Sequence, residues 1–378
     1  MDALTEEQSM LMASLREMAE REFAEAAFSW QGETPWENVE LLADRGFLGL
    51  NIDEAYGGGG LDELDAILSV EVVGEVCPDT AQHLYTQQLV GPRAIDMFGT
   101  EAAKERYLPR VTAGETKVAI AISEPVAGSD VGAMTTTVEE AGDDLVVSGE
   151  KMWVSDIPDS TAAVVWARFP DGLGSLIVDL DADGVDIEQH YTNMGGHTQT
   201  HFYLEDVRVP AENVLTRGSA GFKQQLKALN WERIGSATLA NAWARCALDK
   251  ALGYAQDREQ FGQPIGDFQG IEWKLAEMLK EVEASRALTH RAARRAVAED
   301  RVPDRLEAAI AKLYSSQMVE RVVSEALQLH GANGYQQGHP LEYLYRVARG
   351  RRLAAGTDEI QKNTIAAALK DDGLPPVA

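Results

Sequence analysis

The fold of this chain is decided by two stretches, Ile122-Ser123-Glu124-Pro125-Val126-Ala127-Gly128-Ser129-Asp130 and Gly149-Glu150-Lys151-Met152-Trp153-Val154-Ser155. The first combines a rigid proline and small residues with two hydroxyl groups, which is typical of a tight, polar turn. Such a turn presents backbone N–H groups to a ligand. The two stretches therefore predict a ligand site beside β-like segments.

The composition limits the class of protein. The 378 residues are 45% hydrophobic, which is enough for a large core and for more than one domain. A formal net charge of -27 disfavours a general binder of nucleic acid or of anionic membranes, because long-range repulsion opposes both. Cys77 and Cys246 stand far apart and without histidine clusters, so we expect buried thiols rather than a disulfide framework or a metal site.

The first residues show no recognisable targeting signal. The start Met1-Asp2-Ala3-Leu4-Thr5 is followed by two glutamates and lacks a basic region leading into an apolar one. No later stretch is long and apolar enough to cross a bilayer. We therefore expect a cytoplasmic protein with no membrane segment.

The periodicity of the chain divides it into three parts. Helical patterns run over residues 1–113, short β-rich runs over 114–217, and long amphipathic helical patterns over 218–378. These ranges predict an α+β fold with an N-terminal helical domain, a middle β-barrel or β-sandwich domain and a C-terminal helical bundle. The glycines at 57–60 are interpreted as a flexible connection, because no strand clearly leads into them and no Lys-Ser/Thr follows.

Six motifs in order resemble the acyl-CoA dehydrogenase family over almost the whole chain. After the two quoted above come Phe202-Tyr203-Leu204-Glu205-Asp206-Val207-Arg208-Val209-Pro210, Arg258-Glu259-Gln260-Phe261-Gly262 with Gln269, His330-Gly331-Ala332-Asn333-Gly334-Tyr335, and Gly356-Thr357-Asp358-Glu359-Ile360-Gln361. The resemblance implies an FAD-dependent enzyme that oxidises an acyl-CoA thioester to the trans-2-enoyl-CoA. It also implies that the electrons pass to an electron-transferring flavoprotein.

The resemblance assigns cofactor contacts to the two opening motifs. Ser123 and Ser155 would meet the isoalloxazine ring, with the Ser155 hydroxyl near N5, and Trp153 would pack against the ring. Ser129 would lie where the flavin site and the substrate thioester meet. A flavin that accepts a hydride needs fixed donors at its polar edge and an apolar wall elsewhere. For any one of these serines alone, turn chemistry remains the alternative.

The later motifs would hold the rest of the FAD. By resemblance, one group of residues reaches across a subunit boundary to the pyrophosphate and adenine of the partner's FAD, and another lies along the same cofactor. The first group is Arg258, Phe261 and Gln269, and the second is Gln328, Gly331, Thr357 and Gln361. An FAD shared in this way requires at least a dimer, and we expect a homodimer or homotetramer. The alternatives are a solvated Arg258 and an ordinary helix N-cap at Thr357.

One position departs from the family pattern. Most members carry a glutamate directly before the Gly-Thr of the last motif, where it removes the α-proton, but this chain has Ala355. A minority of the family supplies the base from an earlier helix, and Leu229-Asn230-Trp231-Glu232-Arg233-Ile234 resembles that version. Glu232 is therefore the predicted base, and desolvation would raise its proton affinity. The alternative is an exposed glutamate paired with Lys or Arg one turn away.

Two classes of function follow from the missing glutamate. The first is the dehydrogenase with Glu232 as base. The second is a protein of the same fold that is not a dehydrogenase, either a base-less subunit of a hetero-oligomer or an oxygen-using flavin enzyme. The retained flavin motifs favour the first class, and the acyl group of the substrate cannot be read from the sequence.

Overall fold

The computed structural model describes residues 4–375. The helices are α1 (Glu6–Met18), α2 (Trp36–Asp44), α3 (Glu63–Gly74), α4 (Pro78–Leu89), α5 (Gly91–Phe98), α6 (Glu101–Thr112), α7 (Gly218–Asp257), α8 (Gln269–Ala298), α9 (Arg305–His330), α10 (Pro340–Gly350) and α11 (Asp358–Asp372). The strands are β1 (Lys117–Ala121), β2 (Thr137–Ala141), β3 (Asp144–Ser155), β4 (Ser160–Phe169), β5 (Gly172–Asp179), β6 (Val185–Thr192), β7 (Thr198–Pro210), β8 (Val214–Thr216), β9 (Glu259–Gln260) and β10 (Gln263–Pro264). The predicted order of helical, β and helical parts is confirmed, while the boundaries at 113/114 and 217/218 stay predictions.

The chain forms two compact units. One, here called the sheet unit, comprises residues 32–66 and 83–229. The other, the helical unit, comprises residues 4–31, 67–82 and 230–375 of the described chain. Each unit contains residues that the sequence assigns to the cofactor.

The sheet unit is built on one sheet with the strand order β6-β7-β3-β2-β4-β5-β8, and β1 pairs in parallel with β4. The longest pairing joins β3 and β7 antiparallel, with Leu145 opposite Val209 and Val147 opposite Val207. Because side chains alternate across a strand, these four residues all point into one buried apolar core. Apart from Ile157, in the turn after β3, the core residues come from β1, β2, β3, β4, β5 and β7, which stabilises the sheet that carries both opening motifs.

The predicted flexible connection at 57–60 is wrong. Backbone N–H groups of Gly58, Gly59 and Gly60 donate to the carbonyls of Asp53, Gly49 and Ile52 at 2.9–3.2 Å. A methyl group on Gly58 would lie 2.1 Å from the Ile52 carbonyl oxygen. The glycines are therefore required for a close backbone approach, which is a second common reason for glycine in a sequence.

The helical unit follows the predicted periodicity in part. The amphipathic pattern of residues 218–378 predicts an apolar face with Leu239, Trp243, Cys246 and Ala247, and these residues are buried on α7. It also predicts a face with Ile271, Leu275, Met278, Leu279 and Val282 on α8, where only Met278 and Val282 are buried and Leu279 is 49% exposed. Periodicity identifies the apolar face of a helix but does not say whether one chain alone covers it.

Both cysteines are buried free thiols, as predicted. Burial raises the pKa of Cys77 to about 11 and the pKa of Cys246 to about 12. Neither is therefore a thiolate at neutral pH. No helix within residues 4–375 is long and apolar enough to cross a membrane.

Candidate functional site

The two opening motifs lie side by side in the sheet unit. Ser123 follows β1, and Trp153 and Ser155 form the end of β3. The backbone N–H of Met152 donates to the carbonyl of Ser123 at 2.9 Å, which ties the turn directly to the strand. The turn itself is closed by paired backbone hydrogen bonds between Glu124 and Ala127 at 3.0 and 3.1 Å.

A buried ion pair joins the same two motifs. The Lys151 Nζ donates to Glu124 Oε1 at 2.7 Å and to the Ile122 carbonyl at 3.1 Å, and both charged side chains are fully buried. Thr135 and Thr136 add donors to the Glu124 carboxylate through their backbone N–H groups and hydroxyls. Burial alone would raise the pKa of Glu124, but these hydrogen bonds outweigh it and lower the pKa to about 2. The Glu124 carboxylate is thus ionised at neutral pH, whereas burial lowers the pKa of Lys151, and the contact between them orders the turn against β3.

Trp153 is an exposed aromatic residue with an unusual backbone. Its φ is +63°, in the left-handed region that residues with a Cβ rarely adopt. The register of β3 against β7 shifts between Lys151 and Val154, so a bulge turns this residue outward. Its ring is 49% exposed and lies 5.1 Å from the Tyr191 ring, centroid to centroid. The bulge therefore presents a flat apolar surface to a ligand.

Three hydroxyl groups of the two opening motifs are available for a ligand. Ser123 is half-buried, and Ser129 and Ser155 are exposed. Within residues 4–375, none of these three hydroxyls has a hydrogen-bond partner. An exposed tryptophan beside free hydroxyl donors is a suitable environment for a flavin ring, which has an apolar face and a polar edge.

In the helical unit, Thr357 and Gln361 shape the turn before α11. Thr357 is the N-cap residue, and its hydroxyl accepts from the Ile360 N–H at 3.3 Å. The fully buried Gln361 donates through Nε2 to the carbonyls of Ala355 and Gly356 at 3.0 and 3.1 Å. Its Oε1 is buried without a partner in the described chain, so one acceptor remains available at this turn.

Ala355 lies in that turn with a φ of +56°. The Lys312 side chain, on α9, is fully buried and donates through Nζ to the next carbonyl, that of Gly356, at 2.6 Å. Burial lowers the pKa of Lys312 to about 8. Gln361 and Lys312 therefore both donate to backbone carbonyls of this turn, which has an alanine and no carboxylate at position 355.

Glu232, the predicted base, lies on α7 in the helical unit. Burial raises the pKa of its carboxyl to about 7, against the opposing charges of Arg233, Arg351 and Lys312. No hydrogen bond or ion pair reaches the carboxylate from residues 4–375. Lys312 interacts electrostatically with Glu232 and hydrogen-bonds the Gly356 carbonyl. Glu232 thus keeps part of its surface exposed, its carboxylate is unpaired within residues 4–375, and Lys312 links it to the turn that contains Ala355.

The guanidinium of Arg233, next to Glu232 in the sequence, uses only part of its hydrogen-bonding capacity. Arg233 donates to Asn230 Oδ1 at 2.7 Å, and the Asn230 amide is anchored on the Pro303 carbonyl at 2.9 Å. The Arg233 Nε is buried with no acceptor among the described residues. A donor left free next to an ionisable carboxylate is an available contact for an anionic group.

The residues assigned to the partner's FAD lie on the surface of the helical unit. Phe261 is 95% exposed at a φ of +54°, on the turn between β9 and β10, and it meets Phe268 edge to face at 6.1 Å. The guanidinium of Arg258 and the side chain of Gln269, at the start of α8, are exposed and have no partner within the described residues. Gln328 is exposed on the last turn of α9, and Gly331 caps that helix with a φ of +57°.

Sequence reasoning missed several charged residues around these groups. Lys312 and Arg351 are distant from Glu232 along the chain, and a helical pattern alone does not show that they converge on it. Lys151 stands inside a quoted motif, yet a lysine in a strand is usually read as solvent-facing. The signal that was available is the alternation of β3, which places Lys151 on the side of the buried Val147 and Leu145.

The comparisons with known proteins cover all of this structure. The model of the acyl-CoA dehydrogenase N-terminal domain matches residues 5–115, that of the middle domain 119–207, and that of the C-terminal domain 219–370. The chain belongs to the acyl-CoA dehydrogenase family. The predicted α+β fold of this family is thereby confirmed.

Relatives over the full length carry different activities in their names. Probable acyl-CoA dehydrogenase YngJ of Bacillus subtilis (strain 168) is 36% identical, over 97% of this chain and 98% of the relative. The 3-sulfinopropanoyl-CoA desulfinase of Advenella mimigardefordensis is 33% identical, over 98% and 96%. The solved structure of butyryl-CoA dehydrogenase from Megasphaera elsdenii superposes with a TM-score of 0.91 at 30% identity, covering 98% of this chain and 100% of that one.

The protein is a flavoenzyme that uses FAD, the cofactor of this family. The exposed Trp153 and the free hydroxyls of Ser123 and Ser155 fit the ring of this cofactor. The unpartnered Oε1 of Gln361 and the open backbone at Gly331 fit a polar ligand in the same way. The chain therefore retains groups suited to FAD in both of its units.

Proposed function

We propose that this protein oxidises an acyl-CoA thioester to the trans-2-enoyl-CoA with Glu232 as the catalytic base. The observation that supports this most is the desolvated, unpaired carboxylate of Glu232 near the Ala355 turn. A base is most effective when its pKa lies near the working pH, and the pKa of Glu232 is about 7. The alternative of an exposed, ion-paired glutamate is less well supported.

The reaction requires two bonds to break at neighbouring carbons. Glu232 takes the α-proton, and the electron pair of that C–H bond becomes the second bond between the α- and β-carbons. FAD, when bound, accepts the hydride that leaves the β-carbon. In the sheet unit, the Trp153 ring would cover the flavin ring, and the Ser155 hydroxyl would donate to the polar edge of the cofactor.

The cations around Glu232 lower the pKa of its carboxyl, which favours the ionised form that accepts a proton. Burial favours the protonated acid, whereas Arg233, Arg351 and Lys312 favour the carboxylate. The balance sets the pKa of Glu232 at about 7, above the ordinary value of a glutamate. Without these cations, burial would raise the pKa of Glu232 further, and the protonated carboxyl would not act as a base at neutral pH.

We also propose the cofactor contacts as assigned by the resemblance. Ser123, Ser129, Trp153 and Ser155 would hold the flavin end of the FAD. The rest would be held by Arg258, Phe261, Gln269, Gln328, Gly331, Thr357 and Gln361, with the first three acting on the FAD of a second copy. The 95% exposure of Phe261 and the free guanidinium of Arg258 support a contact that one chain does not complete. The electron acceptor that suits this chemistry is an electron-transferring flavoprotein.

The test is an anaerobic half-reaction with a panel of acyl-CoA thioesters, followed by the oxidised flavin absorption. Wild type is compared with Glu232→Gln and with Asp249→Asn, which removes an exposed carboxylate from the same helix. We expect wild type and Asp249→Asn to lose the band within seconds and Glu232→Gln to be slower by a factor of at least about 10³. Full bleaching by Glu232→Gln would exclude it as the base.

A second candidate function is desulfination of an acyl-CoA that carries a sulfinate. The observation that favours it is the set of cations near Glu232, with the Arg233 Nε unsatisfied, because such a site suits an anionic acyl group. The panel therefore includes 3-sulfinopropanoyl-CoA, and released sulfite is measured together with the flavin band. Sulfite release without bleaching would favour this candidate over the dehydrogenase.

A further inference from the structure

The flavin-facing end of β3 is strained at two residues. Trp153 has a φ of +63° and Asp156 a φ of +68°, and Ser155 lies between them. Both values fall in the left-handed region that residues with a Cβ rarely occupy. Such a conformation persists only where the surrounding structure holds it, and it is concentrated at functional sites. The Glu124–Lys151 pair fixes the residues before Trp153, so the residues after Ser155 also require a stabilising contact.

That anchor is a second buried ion pair. The Lys117 Nζ donates to Asp156 Oδ1 at 2.9 Å, and the lysine is only 4% exposed. The Asp156 carbonyl, in turn, accepts from the Ser160 hydroxyl at 2.8 Å. Asp156 is thus fixed through its side chain and through its backbone.

The position of the Lys117 ammonium is itself fixed. It donates to the Thr34 hydroxyl at 2.6 Å and lies 3.6 Å from Asp159 Oδ2. Lys117 begins β1, whose pairing with β4 is regular after the first residue. The ammonium therefore connects Asp156 to the first residue of β1 and to Thr34.

We propose that Lys117 and Asp156 are positioning residues that hold Trp153 and Ser155 in the conformation that the flavin meets. The proposal rests on the proposed contacts of Trp153 and Ser155 with FAD. Lys117 and Asp156 act through the backbone and do not themselves contact the cofactor. Their effect is accordingly on how tightly the FAD is held and on its environment.

The experiment distinguishes the effect of the left-handed backbone conformation from the effect of the ion pair. Asp156→Asn keeps an oxygen for Lys117 and tolerates a positive φ, whereas Asp156→Gly keeps only the backbone freedom. Lys117→Met removes the ammonium at similar length. The control is Asp179→Ala, which removes a carboxylate that accepts from Arg106 and Tyr107 elsewhere in the sheet unit.

The readouts are made on the holoenzyme. They are the dissociation constant of FAD from a dilution series, the position of the flavin band and the flavin reduction potential. We expect Asp156→Asn to remain within about twofold of wild type, and Asp156→Gly and Lys117→Met to release FAD about tenfold more readily with a shifted band and potential. If these two variants lower only the melting temperature, as the control does, the proposal is wrong. If Lys117→Met does not fold, Asp156→Gly decides the question.

Two reference variants separate this proposal from the assignment beneath it. Trp153→Phe and Ser155→Ala test the flavin contacts directly by the same three readouts. A changed band in these two, with no change in Asp156→Gly and Lys117→Met, would overturn the positioning role alone. No change in any of the four would overturn the contact assignment and the positioning role together.

Discussion

At the scale of single residues, the proposed chemistry depends on one carboxylate in an environment unfavourable to its charge. Glu232 is desolvated, has no hydrogen-bond donor within residues 4–375, and is balanced by cations from other parts of the helical unit. Folding alone would favour a different residue here, since a buried group with a raised pKa opposes stability once it ionises. A residue that is unfavourable for stability and suited to catalysis is typical of an active site.

The pKa of Glu232 gives a stability prediction with a definite sign. A carboxyl with a folded-state pKa near 7, above its unfolded value, binds more protons when folded, so stability falls as the pH rises from about 4.5 to 7. Glu232→Gln removes this penalty. We expect it to raise the free energy of unfolding by about 2 kcal/mol at pH 8 and to change it little at pH 4, as measured by urea unfolding.

The control for this measurement is Asp249→Asn on the same helix, which we expect to change stability by less than about 0.5 kcal/mol at either pH. A glutamate that instead stabilises α7 through an ion pair would make Glu232→Gln destabilising at pH 8. That result would favour the ordinary structural role and count against Glu232 as the base.

The sequence was sufficient to propose Glu232 as the base but not to predict its surroundings. Ala355 in the place of the family glutamate directs attention to the earlier helix, so the candidate follows from a single missing residue. Burial raises its pKa, and Arg351 and Lys312, which reach it through tertiary packing, lower it. No local pattern encodes that convergence, and the same holds for the link between Lys117 and Asp156.

At the scale of secondary-structure elements, two strands and a turn are joined by buried charge. The Glu124–Lys151 pair couples the turn after β1 to β3, and the carboxylate is also held by Thr135 and Thr136 just before β2. Removing one member of a buried pair leaves the other charge uncompensated, which costs more than the pair contributes. The pair therefore couples the conformations of the two opening motifs, so that a change in one disturbs the other.

This coupling predicts a large effect in the sheet unit. We expect Lys151→Met to lower the free energy of unfolding by about 3 to 5 kcal/mol, and a cycle with Glu124→Gln to give a coupling energy of about 1 to 3 kcal/mol. Because the pKa of Glu124 is lowered to about 2, the stabilisation is present above pH 4.5 and is lost as the pH falls toward 2. Urea unfolding between pH 3 and pH 7 measures both effects.

The matched control is Lys280→Met, which breaks an exposed Lys–Glu pair on α8. Exposed pairs contribute little, so its effect should stay below about 1 kcal/mol. Equal effects of the two lysine variants would show that the buried pair does not couple the motifs.

The elements that were missed share a physical reason. The β-rich runs that the sequence shows, at residues 145–147, 162–167, 175–179 and 202–209, lie in β3, β4, β5 and β7, where apolar residues are dense. The sequence does not predict β6, and most of its residues, including Asp186 and Glu188, are exposed. A strand of this kind is held by its backbone pairing with β7 and leaves little hydrophobic signal.

At the scale of the whole molecule, the helical unit leaves unusual apolar surface uncovered. Phe261 is 95% exposed, Trp273 62% and Leu279 49%. Large exposed aromatic residues in this number indicate an interaction surface. With a net charge of -27, two copies repel each other at long range, so an apolar contact is the kind that would bring them together.

We therefore expect the protein to be a homo-oligomer whose assembly and FAD content are linked. Trp273→Glu should shift the mass in light scattering toward the single chain and release FAD, because a contact that includes Arg258 and Phe261 of a second copy would be lost. Met10→Glu, at a residue 68% exposed on α1, is the control and should change neither quantity. Raising the salt concentration should strengthen association by screening the like charges. A wild-type protein that is a single chain with full FAD content would overturn both the shared cofactor and the assignment of Arg258, Phe261 and Gln269.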